Sequence, residues 1–186
     1  IDGTVNKTSI ALFILLFSAY YTYSTANTSF VFIGFILGIV LAIATIIKKQ
    51  WAPITVPLYA ICEGLALGGI SAIYESMYAG IVQQAIFLTI GIFAALLFAY
   101  KTKIIQATEN FKLGVFAATG GIALVYFISF IMSFFGSSIS ILSIQNASLM
   151  SIGFSLFVVI IASLNLVLDF DFIEEASESN VPKYME

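Results

Sequence analysis

The chain has 186 residues, 61% of them hydrophobic and 9% charged, with a net charge of −3 and a mean hydropathy of +1.08. Soluble domains carry roughly a quarter charged residues, and no soluble fold has the interior to hide this much apolar surface, so the solvent is lipid. With no histidine, no arginine and Cys62 as the single cysteine, neither a disulfide, a zinc or iron ligand set nor a Ser-His or Cys-His nucleophile pair can be assembled, and the scattered lysines exclude a nucleic-acid partner.

Lipid offers no partner for an open backbone N–H or C=O, which leaves helices or a closed barrel. Barrel strands alternate in polarity over ~10 residues, whereas these runs are continuously apolar. The reading is therefore all-α, a polytopic transmembrane helix bundle forming a single integral membrane domain over residues 1–186. Spans are predicted at 8–24, 30–47, 56–74, 81–100, 111–135 and 147–169, with 170–186 an acidic cytoplasmic tail.

The first span follows Lys7 as a secretory signal would. Signal cores are shorter, at ~7 to 15 residues, and no small-x-small cleavage site follows, so a retained helix is expected. Asn27 and Thr28 separate it from the second span, Pro53 and Pro57 bracket entry to the third, and residues 136–146 form a polar, uncharged link. Small residues recur on single helical faces: Gly34 and Gly38; Ala60, Gly64, Gly68 and Ser71; Gly114, Ala117, Ala118 and Gly121. Such seams let helices approach closely where no hydrophobic force drives them together.

Lysines near span ends are retained on the cytoplasmic side. Lys7, Lys48, Lys49, Lys101, Lys103, Lys112 and Lys183 all fall on one face if there are six spans, which places the N-terminus inside. The chain opens on Ile1 and stops after an acidic tail at Glu186, and it reads as truncated at both ends.

Within this apolar background the acids stand out. Glu63 lies ~10 Å inside the third span, where a charge costs at least ~2.5 kcal/mol. Its carboxyl either faces the bundle interior or stays protonated, as a neutral structural group or as a functional one. In the sixth span Ser148, Ser151, Ser155, Val158, Ala162, Asn165 and Asp169 form one narrow polar stripe. It is either a packing face with hydroxyls bonded back to their own helix or a water-accessible lining. Asn165 and Asp169, one turn apart, offer a hydrated cation two oxygen-bearing side chains in succession.

Three segments, WAPITVPLYAICEGLALGGIS at 51–71, ENFKLGVFAATGGIALVY at 109–126 and LNLVLDFDFIEEA at 164–176, resemble the Bax inhibitor-1 family of membrane proteins, in particular its bacterial YccA-like branch. The resemblance implies a seven-helix protein with a central helix surrounded by the others, a seventh helix then following Glu186. It also implies a pH-sensitive calcium leak and protection against cell stress. In that picture an acid at the inner end of the sixth span shares a proton with one on the seventh and closes the pore. Asp169 matches that position, with Asp171 a substitute; the basic latch residue of some relatives has no arginine counterpart here. Two carboxylates at contact distance cannot readily hold two charges, which makes such a pair a proton-linked latch. Glu63, in the same half of the membrane, could take part of the second acid's place.

Two functions follow. The first is a cation leak channel, calcium the ion, with Asp169, Asp171 and Glu63 binding the ion and sensing pH, and Asn165, Ser155 and Ser151 lining the pathway. The second, implied by YccA-like members that resemble regulators of membrane-bound proteases, is a non-conducting regulator whose acidic tail docks on another membrane protein. An intramembrane protease is set aside, because Asp169 and Asp171 point to different faces of a helix. No enzyme, cofactor or tightly bound metal is expected, and the location is a membrane spanned several times, the plasma (inner) membrane if the source is bacterial.

Overall fold

The computed structural model describes residues 2–137, 139–143 and 148–178, and among them all regular structure is helical. The helices are α1 (Asp2–Thr25), α2 (Ser29–Ile47), α3 (Ala52–Met77), α4 (Ile81–Lys101), α5 (Glu109–Phe134) and α6 (Leu149–Glu178), with 3-10 turns at Lys49–Trp51 and Ser140–Leu142. Ala147, where the sixth span was expected to start, Asn146 in the link, Lys183 and Glu186 lie outside the described residues.

Five helices, α2 to α6, are long and apolar enough to cross a membrane, one fewer than the six expected. The sixth, α1, has the length at 24 residues, but Tyr20, Tyr21, Thr22, Tyr23, Ser24 and Thr25 dilute its second half. The surface has the character lipid requires. Phe13, Phe32 and Phe116 are 72%, 72% and 76% exposed, while the buried hydrophobics are small or branched: Ala60, Ala66, Val115 and Val167. A soluble fold would reverse that arrangement.

The ends of the helices differ from the expected ones for local reasons. Pro53 stands in the first turn of α3, where a missing N–H leaves nothing unsatisfied, so the helix begins before it and runs on through Pro57. At the far end of α3, Glu75 accepts hydrogen bonds from the N–H groups of Gly80 (2.6 Å) and Val82 (3.1 Å) and so caps α4. Gly80, at φ 85°, makes the turn that delivers those amides. Thr108 caps α5 by accepting from the N–H of Phe111. Finally, α6 does not stop at Asp169 but continues to Glu178, with Phe170 packed against the rings of Phe93 and Tyr100 on α4.

The chain divides into two units, one comprising Ile1–Leu88 with the segment from Ala176 onward, the other Thr89–Glu175. In the first unit α3 is the central element, with α1 and α2 packed against it. The contacts run backbone to backbone. A Cβ on Gly64 would strike Ser18 Oγ and the Leu15 carbonyl, one on Gly68 the Ala19 carbonyl, and one on Gly34 would lie 2.5 Å from the Cys62 carbonyl. Ser18 and Thr22 fit this seam by turning their hydroxyls back to the carbonyls of Leu15 (3.0 Å) and Ser18 (3.2 Å), which leaves Thr22 fully buried yet satisfied. Near the lysine-bearing end, Thr45 and Thr55 hydroxyls join α2 to α3 at 2.7 Å.

The expectation of a third glycine seam on α5 meets a different result. No described atom lies within 4 Å of a Cβ built on Gly114, Gly120 or Gly121. In the second unit, the helices are joined by side chains instead.

Candidate functional site

That second unit gathers its charges at one end of its helices. Lys112 sits in the first turns of α5, near the positive end of the helix dipole, where a lysine is out of place without an anionic partner. It has two: Asp171 on α6 at 2.7 Å and Glu109 one turn earlier at 3.4 Å. The same face of α5 carries Val115, buried, and Thr119, whose hydroxyl accepts a hydrogen bond from Asn165 Nδ2 at 2.9 Å. Thus α5 and α6 are tied at two heights about 10 Å apart, one ionic and one neutral.

On its other side α6 meets α4 through aromatic rings. Phe170 lies 5.8 Å from Phe93, edge to face, and 5.8 Å from Tyr100. One turn further on, the Tyr100 hydroxyl donates to Glu174 at 2.5 Å. Phe93 and Tyr100, seven residues apart on α4, present the same face.

The residues singled out in the sequence take distinct positions in this frame. Asp171 is half-buried and paired. Asp169 is exposed and makes no hydrogen bond or ion pair with any described residue. One turn before it, Asn165 uses its amide nitrogen toward Thr119 and the Ile161 carbonyl, both at 2.9 Å. Ser151 is buried and donates to the Ile141 carbonyl at 2.7 Å, fastening the incoming link to α6, while Ser155 donates back to Ser151 at 2.9 Å. Glu63 belongs to the first unit: its carboxylate packs against Gly38 of α2, where a Cβ would lie 3.4 Å from Oε2, beside Tyr59 and Cys62 of its own helix.

Lys112, Tyr100, Glu174 and Thr119 were missed by sequence reasoning. For Lys112 a signal existed: a cation inside the first turns of an apolar helix calls for an acid nearby. For the other three, a tyrosine, a threonine and an acid at a helix end are ordinary in isolation, and only their partners make them notable.

Apolar helices whose second unit holds its ionic and hydrogen-bonding groups toward one end make a polytopic membrane protein with a polar cluster among its helices. The chain belongs to the Bax inhibitor 1 like family, whose model matches residues 1–186 in full, and it is an integral, multi-pass membrane protein. No curated protein and no solved structure matches it.

Proposed function

We propose that this protein is a proton-sensitive cation leak pathway, with calcium the ion, seated in a plasma membrane with its lysine-bearing end and N-terminus in the cytoplasm. The observation that carries this reading is the contrast between two acids two residues apart on α6. Asp171 is held by Lys112, whereas Asp169 is exposed and unpaired one turn beyond Asn165. A hard cation takes oxygen ligands, and the Asp169 carboxylate with the side-chain oxygen of Asn165 supplies them in succession.

In this account Asp171 and Lys112 form the latch. A proton on Asp171 would remove the attraction that ties α6 to α5. Protein reconstituted in liposomes should pass calcium at a rate that depends on pH, and Asp169→Asn should alter that dependence. An unchanged profile defeats the proposal.

The docking reading is favoured by one observation: Phe172 is 65% exposed beside exposed Glu174, Glu175 and Glu178, an apolar and acidic face at the end of α6. Replacing Phe172, Glu175 and Glu178 with alanine and serine separates the two. Lost capture of a membrane-protein partner with calcium flux intact supports docking, and lost flux supports the leak.

A further inference from the structure

The first unit contains a cleft of about 510 Å³ that no part of the proposed leak uses. Its size lies within the ~300 to 1,000 Å³ of small-molecule sites. Three helices line it, each with one face: α1 from Leu16 to Tyr23, α3 from Gly68 to Glu75, and the start of α4 from Val82 to Phe87.

The lining is graded along the helix axes. At its deep end lie Leu16, Gly68, Ile86 and Phe87, all apolar. At the end where α1 and α3 finish lie Tyr23, Ser71, Glu75 and Gln83. The distance between them, the seven residues from Leu16 to Tyr23, is about 10 Å of helix. An amphiphile lying parallel to the helices would find its chain among the first group and its head among the second.

The head's charge follows from the polar end. Glu75 is a half-buried carboxylate whose hydrogen bonds to Gly80 and Val82 fix its place, and a carboxylate accepts about four such bonds, which leaves capacity for a donor from the cleft. Tyr20 and Tyr23 line the same space, and tyrosine faces attract ammonium groups. No lysine lines the cleft, so a phosphate would meet no counter-charge there.

We infer that this cleft binds a single-chain amphiphile with a lone cationic amine head, the head between Glu75 and the tyrosines and the chain toward Leu16, Ile86 and Phe87. The zwitterionic phospholipids are disfavoured by the missing cation.

The test uses the whole chain purified in a non-ionic detergent, with dodecylammonium, whose head carries N–H donors, titrated calorimetrically against dodecylphosphocholine and dodecyl sulfate. Saturable binding of the ammonium probe at least about tenfold tighter than either competitor is expected. Glu75→Gln should weaken it about tenfold, Tyr23→Leu about threefold, and Tyr23→Phe, which keeps an aromatic face, hardly at all. Because Glu75 also caps α4, the exposed Tyr20→Leu serves as a variant that leaves the fold intact and should weaken binding about threefold. Equal binding of the phosphocholine probe, or ammonium binding indifferent to Tyr20→Leu and Tyr23→Leu, overturns the assignment.

Discussion

The two units of this protein are built by different means. In the first, α1 and α2 meet α3 through glycines, with Gly34, Gly64 and Gly68 allowing backbone contact that a single added carbon would prevent. In the second, the glycines of α5 face open space, and the helices are joined by an ion pair, an amide-to-hydroxyl bond, a phenol-to-carboxylate bond and stacked rings. Close backbone packing in lipid has two discrete states, together or apart, and resists small adjustments. Side-chain links can be made and broken singly, and some of them by a proton. The difference teaches where the proposed switch would sit: the first unit serves as the frame, and the ion pair of the second is the link a proton would break.

That comparison is broken most severely through the frame. Gly64→Val or Gly68→Val inserts a branched side chain into the Ser18 and Ala19 contacts of α1, and overpacking of this kind costs about 3 kcal/mol or more. The protein should fail to run as a single species in detergent by size-exclusion chromatography. Gly121→Ala, by contrast, meets nothing and should be neutral or stabilise by up to about 1 kcal/mol, read as a thermal unfolding midpoint by circular dichroism.

The next effect belongs to the proposed latch. Lys112→Gln and Asp171→Asn each remove one half of the same ion pair, so their effects on pH-dependent calcium flux should not add. The double variant should match either single one within about twofold, whereas independent roles would multiply the changes.

The sequence carried these features unevenly. Helical class and the Gly64 and Gly68 seam were legible, because composition and spacing along one helix are local properties, whereas six spans were expected and five helices among the described residues are long and apolar enough. The same spacing on α5 from Gly114 to Gly121 read as a seam, yet among the described residues no other element lies within 4 Å of a Cβ at Gly114 or Gly121, since whether a small face has a neighbour depends on a distant part of the chain. The partners of Asp171, Glu174 and Asn165 were illegible for that same reason. The end of α6 was placed too early because its acids looked like an exit from the membrane, while Phe170, packed between Phe93 and Tyr100, holds that turn in the helix. Asp169 and Asp171 were both named, but their division into an exposed acid and a paired one required the structure.

Smaller effects sharpen the contrast. Asn165→Ala removes the neutral tie between α5 and α6, and interhelical hydrogen bonds in lipid average ~0.6 kcal/mol with a maximum near ~1.7. Thr119→Val should give a similar loss of unfolding temperature, with no further loss when the two are combined. Thr45→Val, which breaks the hydroxyl contact to Thr55 in the first unit, should cost about 0.5 kcal/mol or less, because the glycine contacts hold those helices regardless.

The division of labour between the units is tested most directly by measuring distances while protons are added. In a Cys62→Ser background, spin labels at Leu113→Cys and Phe172→Cys report α5 against α6, and labels at Phe17→Cys and Ile70→Cys report α1 against α3. All four sites are exposed. Acidification should lengthen or broaden the α5 to α6 distance while the α1 to α3 distance stays fixed, and Asp171→Asn should give the acid-state distance at every pH. Two distances that both ignore pH, in protein whose calcium flux responds to it, would contradict the account.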